Sequence, residues 1–302
     1  MASNHAMERR GTRYQLPLRT SKKAPGPTFA DLADRWLQDW SRSQLASHGS
    51  NLSRLRCHIL PLLGAAAIGE ITEYRLERFS AELLARGLHP KTVNNCLALV
   101  SAVLGRSARW SLIPKDHARP TLLRVPDPEW AFFSREELRR LLGTAQPPYR
   151  DIFAMLYLTG LRLGNCLGLQ RDDVFLDLKA LRVRISKSGR MNWIQLTAPA
   201  RRIVERHLPL AQPWLFPNQR TGAPYVDLKR PWTRALKAAG FTKRYRIHDL
   251  RHTRATHMRM AGFELAEIQT FLGHSSLRMT MRYAHVPDEW IRRKLETLDM
   301  GL

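Results

Sequence analysis

From Thr28 to Ile113 the apolar residues recur every three or four positions, the period of amphipathic helices. In TFADLADRWLQDW, residues Phe29, Leu32, Trp36 and Trp40 share one face, and Thr28 with Asp31 makes a capping-type start. A second helix is predicted over NLSRLRCHILPLL, stopping near Pro61 and Gly64. A third covers ITEYRLERFSAELLARG, with Gly87 as its C-terminal stop. The longest is HPKTVNNCLALVSAVLGRSARWSLI, which turns Val93, Leu97, Val100 and Leu104 inward. The period then disappears: residues 114–133, PKDHARPTLLRVPDPEWAFF, hold four prolines and read as an interdomain linker.

A second region opens on SREELRRLL, where Ser134 and Glu137 form a capping box. RDIFAMLYLTGLRLGNCLGL is apolar on most faces and belongs at the centre of a core. LRVRISKSGRMNWIQL breaks the helical period, and two short strands, 181–185 and 191–196, are predicted around the turn SKSGR. Helical patterns return after a loop containing LFPNQRTGAPY and continue to the end. The predicted fold is mainly α with a small β-sheet. Its divisions are a basic, flexible segment 1–27, a helical domain 28–113, the linker 114–133 and a mixed α/β domain 134–302.

Composition narrows the partners. With 302 residues and 44% hydrophobic content the chain builds real cores. Its net charge of +23 makes a polyanion the expected partner, nucleic acid before an anionic membrane surface. Part of that charge, Arg9, Arg10, Arg13, Arg19, Lys22 and Lys23, lies in the first segment against Glu8 alone, either simply solvated or as an arm that touches DNA. No apolar run approaches a membrane span. Cys57, Cys96 and Cys166 have neither disulfide nor zinc spacing, so buried thiols in a reducing cytoplasm are expected.

Four places in the second region combine basic or proton-transfer residues with tight punctuation. TGLRLGN puts Arg162 beside a glycine in an apolar segment, where a guanidinium either meets an anion or snorkels to solvent. SKSGR puts Lys187 at a hairpin tip, a common place for a merely solvated lysine. IHDLRHTRATH sets His248 and Arg251 on one helix face. LGHSSLRMTMRYAHV brings His274 and Tyr283 nine residues apart, either a surface helix with an aromatic anchor or a phosphate ligand and a nucleophile. Together they match the needs of phosphodiester cleavage by a tyrosine hydroxyl. Forked guanidiniums neutralise the non-bridging oxygens, an imidazole handles a proton or the phosphate, and an acid serves the leaving oxygen.

The chain resembles the tyrosine recombinase (phage integrase) family through LTGLRLGNCLGLQRDDV, ISKSGR, IHDLRHTRATHM and LGHSSLRMTMRYAHV, in the family's order and spacing. HILPLLGAAAIGEIT and KTVNNCLALVSAVLGRSARWSLI look like the family's helical core-binding domain. The resemblance implies a site-specific DNA recombinase, most like integrases of mobile elements, whose two domains clamp DNA. Arg162 and Arg251 would clamp the phosphate, Lys187 would protonate the departing 5′ oxygen, and His248 would assist the tyrosine's proton. His274 would hydrogen-bond the scissile phosphate, and Tyr283 would attack it to form a 3′-phosphotyrosyl bond. No nucleotide or metal cofactor is implied. The implied partners are double-stranded target sites, accessory directionality factors and further copies of the chain. A tetramer on a four-way junction would be joined through PDEWIRRKLETL, with Trp290, Ile291, Leu295 and Leu298 on one face.

Two departures stand out. Asn165 occupies the position three after the first arginine, where the family usually has a carboxylate, so the site is either looser or compensated by another group such as Asp172 or Asp173. The segment 1–27 is short for the separate arm-binding domain of some relatives. His252, His257 and His285 are expected beside the site, as supporting or DNA-facing groups rather than catalytic ones. The rival readings are a type IB topoisomerase, which uses the same chemistry, and a non-catalytic DNA-binding regulator, which has no need of Tyr283.

Overall fold

The chain divides into two units, Met1–Asp127 and Pro128–Leu302. The structure is a computed structural model that describes residues 26–126, 131–184 and 191–284. Lys187, His285, the first 25 residues and the C-terminal segment with Trp290, Ile291, Leu295 and Leu298 therefore lie outside the described residues.

In the first unit, α1 (Phe29–Arg35) begins with the predicted reciprocal cap between Thr28 and Asp31. It widens into a π-helical stretch, Trp36–Ser41, before Arg42–Gln44 ends it. Phe29, Leu32 and Trp36 are buried, whereas Trp40 sits at the rim under the Arg106 guanidinium, 3.4 Å from its ring centre. Next, α2 (His48–Arg54) also widens, over Leu55–Ile59, and continues as Leu60–Leu63. The helix ends at Leu63, before Gly64, as predicted; Pro61 lies inside its last piece, just after the wide turn.

The next helices are α3 (Glu73–Ala85) and α4 (Pro90–Arg109). Between them Gly87, at φ +79°, supplies the left-handed turn that the helix end needs. Val93, Leu97, Val100 and Leu104 of α4 are buried as their spacing predicts. Residues after α4 stay with this unit: the Asn94 side chain bonds both backbone groups of Leu123 at 2.8 Å. Cys57 is exposed, against the expectation of buried thiols, while Cys96 and Cys166 are buried.

The second unit starts with α5 (Arg135–Thr144), capped by Ser134 and Glu137 as predicted. The central helix is α6 (Tyr149–Thr159), packed by α5, the short α7 (Leu163–Leu167), α8 (Ala198–His207) and α10 (Asp249–Met260). An antiparallel sheet of β1 (Val174–Phe175), β2 (Ala180–Arg184) and β3 (Met191–Gln195) covers part of the same core. Register sets Leu181 against Ile194 and Arg182 against Trp193, so apolar residues face inward and Arg182 outward. Strand β1 escapes prediction because two residues carry no period. The remaining helices are α9 (Lys229–Ala238) and α11 (Leu265–Leu272). Phe133 seals the core, stacked on Tyr245 at 3.9 Å and edge-on to Trp232. After α11 the predicted helix gives way to two 3₁₀ turns, Leu277–Met279 and Met281–Tyr283. Among the described residues, no helix is long and apolar enough to cross a membrane.

Candidate active site

Two glycines aim the site. Helix α6 ends at Gly160, φ +64°, and α11 ends at Gly273, φ +63°. Each left-handed residue reverses the chain, sending Arg162 and His274 off helix ends that already touch. A Cβ on Gly160 would come within 2.7 Å of Leu272 Cδ2, so the close approach requires glycine. Arg162, extended at φ −69° and ψ 147°, is the N-cap residue of α7.

Arg251 ties these two ends together. It is 4% exposed and donates to the carbonyls of Gly160 and Leu272, the latter at 2.7 Å. Both carbonyls belong to helix C-termini, which lack intrahelical donors and carry partial negative charge. Two of the five guanidinium donors are thus used, leaving the others for an anion. Burial, and then the neighbouring Arg162 charge, lowers the Arg251 pKa to about 10. His248 occupies the N-cap position of the same helix, α10, without a side-chain capping bond. The turn before it is closed by buried Asp249, which accepts the Arg246 backbone N–H at 2.7 Å and its guanidinium at 3.1 Å.

Tyr283 is 6% exposed and packs with Ala255, Met258, Ile268 and Leu272. Its hydroxyl lies 2.7 Å from Nδ1 of His252, itself 2% exposed. His252 also meets His248 edge-on, ring centres 4.8 Å apart. His274 turns Nδ1 toward Thr280 Oγ1 at 2.8 Å. Burial and the surrounding cations keep the imidazoles neutral. Desolvation, with His248 and Arg282 nearby, takes His252 down to about 3. Desolvation, Arg251 and Arg162 take His274 down to about 4. The same causes lower His248, although its ring is partly open to solvent. Burial raises the Tyr283 phenol, and Arg251 and Arg282 pull it back.

Both His252 and His274 bind protons more readily in the unfolded chain than in the fold. The stability their neutral forms contribute is therefore complete above about pH 6.5 and falls as pH drops toward the folded values. At pH 5 their imidazole ¹⁵N shifts should still be those of neutral rings. A titration midpoint near 6.5 for either would contradict this account of the site.

The structure thus brings Arg162, His248, Arg251 and His274 within one another's fields and Tyr283 within that of Arg251, while Lys187 lies outside the described residues. Arg282 joins them as a third guanidinium, with no signal in the sequence beyond its adjacency to Tyr283. His252, expected in a supporting place, touches the tyrosine hydroxyl. His257 points elsewhere: five residues beyond His252 on α10, it bonds the Tyr157 hydroxyl at 3.0 Å. Asn165 is half-buried on α7. Of its expected substitutes, Asp173 takes Arg182 Nε at 3.3 Å and Asp172 offers its carbonyl to Arg182 at 2.9 Å. Among the described residues no cluster of three or more His, Cys, Asp or Glu is placed to hold a metal. Guanidiniums, neutral imidazoles and a phenol around one spot suit an anion with several oxygens and a nucleophile beside it.

Comparison with known proteins bears on this arrangement. The integrase of Salmonella phage P22 is 26% identical over 221 residues, covering 67% of this chain and 56% of that protein. Tyrosine recombinase XerA of Pyrococcus furiosus is 28% identical over 232 residues, covering 74% of this chain and 79% of the relative. Among solved structures, the Tn1549 transposon integrase in complex with a circular intermediate DNA superposes with a TM-score of 0.72 at 21% identity, covering 90% of this chain and 100% of that one. A lambda integrase tetramer bound to a Holliday junction gives 0.71 at 18% identity, covering 86% and 78%. These two share the fold. The model of the Phage integrase family matches residues 131–289, more than half of the chain and the whole of the site just described. The chain belongs to the phage integrase family of tyrosine recombinases.

Proposed function

We propose that this protein is a site-specific DNA recombinase that cleaves and rejoins DNA through a 3′-phosphotyrosyl bond at Tyr283. The observation that carries the reading is the placement of Tyr283 against neutral His252 and in the field of buried Arg251, around which Arg162 and His274 also gather. Arg162 and the unused donors of Arg251 hold the non-bridging oxygens of the scissile phosphate. His274 adds a hydrogen bond to that phosphate, and His248, at the open side, completes the cradle. His252 rather than His248 stands in hydrogen-bond contact with the tyrosine hydroxyl, so His252 is the group we assign to receive its proton or hold its orientation. Attack forms the tyrosyl–phosphate bond and breaks the bond to the 5′ oxygen. A 5′ hydroxyl of the partner duplex reverses the step, so the bond energy is conserved.

The net charge of +23 supports a polyanionic duplex as substrate, and the two neighbours named above are DNA complexes. Exchange between two duplexes calls for four protomers and a four-way junction, as the lambda integrase complex illustrates for its own chain. Circular DNA carrying paired target sites should give recombinant circles in proportion to site pairing. Relaxation of single-site circles without recombinants would make the protein a topoisomerase instead.

Lys187 is assigned to protonate the leaving 5′ oxygen. An alkoxide leaves poorly, its conjugate acid lying near water's pKa of ~15.7. A thiolate leaves readily, since a thiol has a pKa of ~8.5. Lys187→Ala should therefore bind DNA yet cleave slowly, and sulfur at the bridging 5′ position should restore much of its rate. The same sulfur should help Arg162→Ala far less. Equal rescue of both variants, or of neither, would leave Lys187 a solvated hairpin residue.

A further inference from the structure

Thr280 is fully buried, and its hydroxyl touches His274 Nδ1 at 2.8 Å. A hydroxyl has one proton to give, and among the described residues no other acceptor for the Thr280 proton is present. The main chain of His274 is held separately: its N–H donates to the Gln269 carbonyl at 3.0 Å, and its carbonyl accepts from Gln269 Nε2 at 3.2 Å. With backbone and Nδ1 both fixed, the ring has one orientation left. Burial, and then the neighbouring Arg251 and Arg162 charges, keep that ring neutral, so it carries a single N–H.

Which nitrogen carries it decides what the ring can do. A phosphate oxygen of a diester only accepts hydrogen bonds. A neutral imidazole can serve it only through a protonated nitrogen, and the hydrogen bond made by the other nitrogen sets the tautomer. If Thr280 donates to Nδ1, the proton sits on Nε2, where a phosphate can use it. If Thr280 accepted from Nδ1–H, Nε2 would present a lone pair and repel the oxygen. Resting on the reading of His274 as a phosphate ligand, we propose that Thr280 is the positioning residue that locks His274 in its Nε2–H tautomer.

The same residue reaches the nucleophile through its backbone. The Thr280 carbonyl accepts the Tyr283 N–H at 2.9 Å, closing the 3₁₀ turn that carries the tyrosine. One residue therefore fixes the phosphate ligand with its side chain and the nucleophile's turn with its main chain. A displacement of that turn would release the tyrosine and the tautomer lock together.

The experiment uses the full chain with ¹⁵N-labelled histidine. In the DNA-free wild type, His274 should show a protonated Nε2 and a bare Nδ1. Thr280→Val keeps the shape and removes the hydroxyl. It should mix the two tautomers, leave DNA affinity within about twofold and slow single-turnover cleavage about ten- to a hundredfold, the range for losing a partner that orients an imidazole. Thr280→Ser should restore both the tautomer and the rate. An Nδ1–H tautomer in the wild type, wild-type cleavage by Thr280→Val, or failure of Thr280→Ser to restore the rate would each overturn the proposal. Should the valine variant not fold, Thr280→Ala takes its place against Thr280→Ser. Absence of cleavage by the wild type would refute the reading of the site, while the tautomer measurement would still decide the role of Thr280.

Discussion

Arg251→Lys is expected to unfold more easily than the wild type and to cleave DNA about a hundredfold more slowly. The two losses have separate causes. The guanidinium spans the carbonyls of Gly160 and Leu272, and an ammonium cannot span both and still face a phosphate. A buried carbonyl left without a donor costs about 1–3 kcal/mol, and here it would sit at a helix C-terminus. Losing a transition-state donor typically costs ~3 kcal/mol, which is the hundredfold in rate. Arg162→Lys provides the contrast. Among the described residues its side chain makes no hydrogen bond, so cleavage should fall by a similar factor while the unfolding midpoint stays put. Denaturant unfolding and single-turnover cleavage separate the two. An Arg251→Lys protein as stable as wild type would show that the clamp on the two helix ends does not hold the fold.

Tyr283→Phe should abolish the covalent protein–DNA adduct altogether while leaving DNA affinity nearly unchanged. The ring contributes most of the residue's packing against α10 and α11, and phenylalanine keeps it. What disappears is the hydroxyl on His252 Nδ1. His252 is held neutral, so no buried charge is stranded, and the lost hydrogen bond should cost only about 1 kcal/mol of stability. Basic residues elsewhere continue to hold the phosphate backbone, which is why binding survives. Gel separation of adduct from free protein, with a binding titration alongside, checks both halves. Adduct at any appreciable level in the Phe variant would remove Tyr283 from the chemistry.

Much of the fold was legible because it is written in local contacts. The caps of Thr28 with Asp31 and Ser134 with Glu137 need four residues each, and the inward face of α4 needs only its own period. Features that depend on distant partners were not. The π-helical turns over Trp36–Ser41 and Leu55–Ile59 are not announced by any apolar period. Trp40 packs on the core but only half-buried, and the Arg106 guanidinium from another helix that covers its ring leaves no mark in the period. Strand β1 exists only as the partner of β2.

The site divides the same way. Residue types and their punctuation marked Arg162, Arg251, His274 and Tyr283, and the glycine beside Arg162 was part of that signal. Their reason was hidden, since main-chain carbonyls, the ligands that fix Arg251, leave no trace in a side-chain pattern. His252 and Tyr283 are 31 residues apart, and only the packing of α10 against the last turns brings them to 2.7 Å. His257 shows the converse: closeness in sequence on one helix placed it on a different face.

The central claim is that Tyr283 becomes covalently bound to a 3′ phosphate. The direct measurement takes wild-type protein and a nicked duplex from the DNA flanking its coding region, so that the cleaved end diffuses away and the adduct is trapped. Proteolysis and mass spectrometry then identify the modified residue, and end-labelling identifies the free DNA end. The account predicts phosphate on the peptide containing Tyr283 and a free 5′ hydroxyl. Modification of any other residue, or a protein linked to the 5′ end, would contradict it.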